Sequence, residues 1–177
     1  MMGQAGTGKN ETVEITGAIT DESSFVGWVQ STQKALVRFC RQFVGDWHEA
    51  EDLAQEAYML AWRKRGSFRG ESSLLTWQMA IARRVCLDRL RSRKKAELVQ
   101  LSEFDAAPEF DIDTIVDVQQ TLQKLSPDDR AILYLRVGED MPFESIAKVL
   151  GQSSAACRKR YERAKQRFET AYSGKED

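Results

Sequence analysis

Lysine and arginine crowd two stretches of this chain. The first holds Arg63, Lys64, Arg65, Arg69, Arg83, Arg84, Arg89, Arg91, Arg93, Lys94 and Lys95, opposed only by Glu71 and Asp88. The second is Ser153–Phe168, SSAACRKRYERAKQRF. Side chains of this kind displace counterions from a polyphosphate and hold its strands. The formal net charge of −1 conceals them, because acids are gathered elsewhere. Glu97, Glu103, Asp105, Glu109, Asp111, Asp113 and Asp117 follow one another with no base between them. A basic helix face is often only solvated, so the functional reading depends on what surrounds these residues.

Other chemistry is weakly represented. Gly3–Asn10 (GQAGTGKN) approaches the phosphate-binding loop G-x-x-x-x-G-K-[ST]. That loop needs a preceding strand and a hydroxyl after the lysine to hold magnesium. Here only two residues precede it, Asn10 stands in the hydroxyl position, and no helical pattern follows. A nucleotide-hydrolysing enzyme is therefore the poorer reading. Cys40, Cys86 and Cys157 are far apart and set among apolar residues, and His48 is the only histidine. Such spacing suits buried thiols in a reducing compartment rather than a zinc site. No catalytic set, metal or cofactor is expected. No apolar run is long enough to span a bilayer and no signal peptide is recognisable, so the expected location is cytoplasmic, without membrane insertion.

The basic residues need helices to position them. Asp21–Ser24 offers caps for a helix over Phe25–Phe43, broken by Gly45 and Asp46. His48–Lys64 follows, with Leu53, Ala57, Leu60 and Ala61 on its inner stripe and Glu49, Asp52, Gln55 and Glu56 outside. The loop Gly66–Ser73 precedes a helix over Leu74–Arg93, which Ser72 or Ser73 can cap. Five arginines in the C-terminal half of that helix exceed what the helix dipole accommodates, and a phosphate surface is the economical account. Ile112–Lys124 is helical again. Ser126-Pro127-Asp128-Asp129 then reads as a helix start, with a Ser cap, Pro in the first turn and acids near the positive end. Phe143–Leu150, closed by Gly151, and the basic helix capped by Ser153 have the form of a helix-turn-helix, whose second helix enters the DNA major groove. No strand pattern appears, so the chain is all-α.

Three segments, in order, resemble the extracytoplasmic-function (ECF) group of bacterial sigma factors. Glu49–Glu56 with Ala61-Trp62 looks like region 2.2. Phe68–Ser73 with Thr76-Trp77, Ile81-Ala82-Arg83 and Asp88-Arg89-Leu90 looks like regions 2.3 and 2.4. Leu122, Leu125-Ser126-Pro127, Ile146-Ala147, Leu150-Gly151 and Arg158, Arg160, Arg163 and Ala164 look like region 4. The match covers roughly Phe25–Phe168.

The resemblance implies two small helical domains, sigma-2-like over residues 23–95 and sigma-4-like over 112–172. A flexible acidic linker over 96–111 would join them, with tails at 1–22 and 173–177. It implies a subunit that performs no chemistry, binds the β and β′ subunits of core RNA polymerase, recognises promoter DNA and is held in check by an anti-sigma factor. Asp52, Gln55 and Glu56 would meet a basic coiled coil of β′, steered by charge. Arg69, Ser72, Ser73, Arg83, Arg84 and Asp88 would hold the melted minus-ten element, where unstacked bases and one strand's phosphates need cations and a base pocket. Trp77 and Phe68 suit the core better than the DNA. Ser154, Ala155, Arg158 and Lys159, early in the recognition helix, would read base edges at the minus-thirty-five element, and Arg160, Arg163 and Lys165 would hold its backbone.

The chain departs from the family at Gln152 and Cys157 and at Pro142, where a capping Ser is common. Ala155 and Ala156 offer no hydrogen bonds, so upstream recognition must rest on few contacts.

Overall fold

Asp21 starts the first helix by a reciprocal cap. Its Oδ1 accepts from the Ser24 amide at 2.8 Å while its own amide donates to Ser24 Oγ at 3.3 Å. The helix α1 runs over Glu22–Val44 in the computed structural model, which describes residues 19, 21–97 and 113–173. Gly45, at φ 79°, ends it, and Asp46 caps α2 (Trp47–Lys64) by accepting from the Glu49 amide at 2.7 Å. A 3-10 turn over Arg65–Ser67 leads to the loop before α3 (Leu74–Glu97). Of the two serines available, Ser73 is the cap: its Oγ accepts from the Thr76 amide at 3.1 Å. The helix continues past Arg93 because the residues that follow, up to Glu97, include neither Gly nor Pro.

Helices α1, α2 and α3 pack together as a three-helix unit. Its centre is Leu36, Phe39, Cys40, Leu53, Ala57, Ala61, Met79, Ala82 and Cys86, all fully buried. One end is closed by aromatic rings. Trp28 meets Tyr58 edge-on at 5.3 Å, and Phe25 lies 4.9 Å from Trp62. Tyr58 shares a 2.7 Å hydrogen bond with Thr32, and burial pushes its phenol up to about 12. Phe68 and Trp77 pack on each other at 5.3 Å and against the core, as their stripe suggested.

The second unit comprises α4 (Asp113–Gln123), α5 (Pro127–Leu133), α6 (Phe143–Leu150) and α7 (Ser154–Ser173). Ser126 caps α5 with Pro127 in its first turn. The apolar run beyond Leu133 leaves the α-helical pattern and forms a π turn over Tyr134–Gly138. Gly138 leaves room there for the Tyr134 ring: a Cβ would lie 3.1 Å from it, and the ring would have to shift by a few tenths of an ångström. Pro142 has no side chain to cap α6, but its carbonyl accepts from the Ser145 and Ile146 amides at 3.0 Å each, and the helix begins regardless. Gly151 closes α6 in the left-handed region, at φ 63° and ψ 38°. Ser153 Oγ then accepts from the Ala156 amide at 3.1 Å and starts α7.

The two units touch. Helix α5 lies on α1, and α6 lies on α3. Arg130 donates to the Gln42 carbonyl at 2.6 Å and the Leu125 carbonyl at 2.7 Å. Tyr134 donates to the Ala35 carbonyl at 3.0 Å and bonds Glu139. Lys148 donates to the Glu71 carbonyl. No strand occurs among the described residues. Gly3–Asn10 and the acidic stretch 98–112 lie outside them, as do the linker and tail assignments that rest on those residues.

One core residue breaks the pattern. Gln78 is fully buried, and neither its Nε2 nor its Oε1 has a partner. An amide left unpaired in the core costs about 1–3 kcal/mol. Gln78→Met, an unbranched apolar side chain of the same length, is therefore expected to raise the urea midpoint with an unchanged slope; a lower midpoint would show that the amide is satisfied.

Candidate nucleic-acid and polymerase interfaces

On α2, Asp52, Gln55 and Glu56 stand exposed at helical spacing. Neither carboxylate has an intramolecular partner among the described residues. Met59, one turn further along the same face, is 57% exposed. Glu49 differs from the outward placement read from the sequence. It turns toward α3 and accepts from Arg89 at 3.5 Å and Arg93 at 3.2 Å. The acidic face is thus narrower, and two of the arginines on α3 serve to hold α2.

The downstream set is divided. Arg69 and Arg84 are exposed, Ser72 is half-buried, and Asp88 accepts from Arg91 at 2.8 Å. Ser73 is occupied as the cap of α3, where its hydroxyl also meets Thr76 Oγ1 at 2.8 Å. Arg83 faces the other unit: its Nε and Nη2 lie 3.3 and 3.1 Å from Asp128 Oδ1. This is a two-point ion pair, half-shielded from water.

The upstream set clusters on α7. Ala155, Lys159, Arg163 and Lys165 are exposed, with Lys165 paired loosely to Glu169 at 3.8 Å. Arg160 donates to Asp129 at 3.1 Å. Arg167, two turns beyond and absent from the sequence assignment, donates to the other Asp129 oxygen at 2.6 Å. Asp129 is nearly buried and so fixes both guanidiniums against α5. A basic hollow of about 340 Å³ opens beside them, lined in part by Lys159, Arg160, Arg163 and Arg167. At the start of α7, Ser154 and Arg158 both donate to Glu144 Oε1, at 3.1 and 2.9 Å. The place of Asp129 and Glu144 was partly signalled by their positions in the first turns of α5 and α6, where a carboxylate complements the helix dipole. Their arginine partners lie too far along the chain for local spacing to show them.

The cysteines are all free and buried. Cys86 beside it and burial hold the Cys40 thiol well above its usual range, and burial raises Cys157. Such thiols are poor nucleophiles. Native protein should react negligibly with a thiol-specific disulfide reagent, and urea should expose all three; rapid reaction of the native state would contradict that burial.

The first unit matches the family model described as Sigma-70 region 2 over residues 28–96, and the second matches Sigma-70, region 4 over 115–168. The RNA polymerase sigma-H factor of Pseudomonas aeruginosa is 33% identical over 168 residues, an alignment that covers 85% of this chain and 87% of that protein. This chain belongs to the ECF group of the sigma-70 family. The ECF RNA polymerase sigma factor SigG of Mycobacterium tuberculosis is 29% identical over 82% of this chain; the match spans 48% of SigG, about half its length. The sigma factor RpoE of Bartonella quintana, solved in complex with the anti-sigma factor NepR, superposes with a TM-score of 0.73 at 25% identity, over 84% of this chain and 96% of that one. Region 2 of the family is thus α1–α3 and region 4 is α4–α7. No helix among the described residues is long and apolar enough to cross a membrane.

Proposed function

We propose that this chain is a promoter-recognition subunit of bacterial RNA polymerase, cytoplasmic and without catalytic chemistry of its own. The observation that carries the reading is one acidic face on α2 with no partner among the described residues, beside basic surfaces on two separate helical units. Asp52, Gln55 and Glu56 dock on core polymerase. Arg69, Ser72 and Arg84, with Arg83 once it leaves Asp128, hold the opened minus-ten strand; Ser73 acts by fixing the start of α3, and Asp88 by orienting Arg91. Ser154, Ala155, Arg158 and Lys159 meet minus-thirty-five base edges, while Arg163 and Lys165 reach phosphate and Arg160 borders the same hollow. The names of the relatives support polymerase as the partner, and the RpoE complex supports control by an anti-sigma factor.

Arg83 is committed to Asp128 in this arrangement, so α3 and α5 must part before Arg83 can meet DNA. The purified chain mixed with core polymerase should co-elute as a one-to-one complex, and alone should bind promoter duplex weakly. Tight, polymerase-independent binding to a palindrome would instead make it a stand-alone helix-turn-helix regulator.

A further inference from the structure

Among the described residues, Glu144 is the acid that meets the base-reading end of α7. Its Oε1 takes the Ser154 hydroxyl at 3.1 Å and an Arg158 Nη at 2.9 Å. The Arg158 guanidinium also lies 5.5 Å from the centroid of the Phe143 ring. Arg136 sits 5.5 Å from the same ring, which in turn meets Tyr161 edge-on at 5.7 Å. Arg158 is therefore held at two points, by a ring that α7 and the π turn fix in place and by a carboxylate.

Stability does not explain this arrangement. The Arg158 and Glu144 side chains are 60% and 65% exposed. Ion pairs that open to water contribute little to folding. A phosphate contact does not explain it either, since a carboxylate beside the cation would repel the DNA backbone. What the contacts do accomplish is to select one Arg158 rotamer and aim the Ser154 hydroxyl. The carboxylate also stays charged: its own backbone amide, Ser154 and Arg158 all hold it below the usual carboxylate range.

We infer that Glu144 is a positioning and specificity residue for upstream promoter recognition, presetting Arg158 so that the pair reads a single G·C base pair. In the major groove, guanine presents two acceptors, O6 and N7, to an arginine, and the cytosine opposite presents an N4 donor to a carboxylate. An Arg–Glu pair at a recognition helix matches that pattern. With Ala155 and Ala156 contributing no hydrogen bonds, it would supply much of the sequence preference at this end of α7. The inference rests on the reading of Arg158 as a base contact.

The test uses the full chain bound to core polymerase and a promoter library varied across the minus-thirty-five element. Glu144→Gln keeps shape and removes charge. It should lower preference at one G·C position about tenfold while affinity for the remaining sequences rises slightly, because a negative charge has left the DNA face. Arg158→Ala should lose the same preference at the same position. If Glu144→Gln raises affinity uniformly with preference intact while Arg158→Ala still loses it, Glu144 is only a surface charge and the inference fails alone. If Arg158→Ala weakens all sequences equally and reduces the salt slope by about one, Arg158 holds phosphate, and the base-reading assignment fails with the inference.

Discussion

Reversing the charge of Asp52 and Glu56 together is expected to weaken binding to core polymerase about a hundredfold or more and leave the helix content unchanged. Both side chains are exposed and serve no partner among the described residues. Their replacement by lysine therefore removes nothing that folding uses, and surface changes of this kind usually shift stability by no more than about 0.5 kcal/mol. At an interface the balance is different. A charge facing opposite charge accelerates encounter, and truncating one partner of a buried pair costs about 2–5 kcal/mol. Reversal adds repulsion to that loss. The informative control lies one turn away. Glu49→Lys disrupts the contacts with Arg89 and Arg93 and should lower stability while affecting polymerase affinity much less. Competition against a labelled sigma factor measures both. Full affinity of the Asp52/Glu56 double variant would remove α2 as the docking helix.

The second large effect is expected at Asp129. This carboxylate is nearly inaccessible and accepts one charged hydrogen bond on each oxygen, from Arg160 and Arg167. Hydrogen bonds to charged groups are each worth about 1.5–3 kcal/mol. Arg167 is largely exposed and recovers hydration when released, which reduces its share. Asp129→Ala should therefore cost about 2–3 kcal/mol, read as a fall in the urea midpoint. The same change should free Arg160 and Arg167 to move within the basic hollow beside α7. Asp128→Ala is the comparison: its main partner is Arg83 of the other unit, so it should cost less, about 1 kcal/mol, and loosen the contact between the units instead. Scattering in solution would register that loosening as a larger radius of gyration. Equal losses for the two variants would show that the aspartates share one network rather than two separate tasks.

Local spacing was enough to find most of the helices, because caps and breakers act within a few residues. Asp21, Ser126, Gly151 and Ser153 each did what their position along the chain suggested. The π turn over Tyr134–Gly138 escaped; it goes with long-range contacts of Tyr134, whose ring packs against the core and whose hydroxyl bonds Ala35 of a distant helix. The same division runs through the candidate surfaces. Charge segregation picked out α2, α3 and α7 from composition and period alone. It did not reveal which charges are already taken. Glu49 with Arg89 and Arg93, Arg83 with Asp128, and Asp129 with Arg160 and Arg167 are pairs 31 to 45 residues apart along the chain. No helical period links such positions. They depend on how α2 sits on α3 and α5 on α7, and for Arg83 with Asp128 on how the two units meet.

That placement bears on how the protein works. Arg83 stands on the helix assigned to the melted strand, yet its guanidinium is spent on the other unit. Arg69, Arg84, Lys159 and Arg163 remain exposed. On the proposed reading, a first encounter with promoter DNA uses these cations, which have no ion-pair partner among the described residues, and Arg83 joins when α3 and α5 separate.

The central claim is that one acidic helix face recruits polymerase while two basic units choose where it starts. Transcription in vitro with core polymerase, this chain and a library of promoter sequences tests it most directly. The account predicts transcripts that begin at a small set of templates sharing two sequence elements, and their loss with the Asp52/Glu56 reversal. Start sites identical to those of core polymerase alone would contradict it.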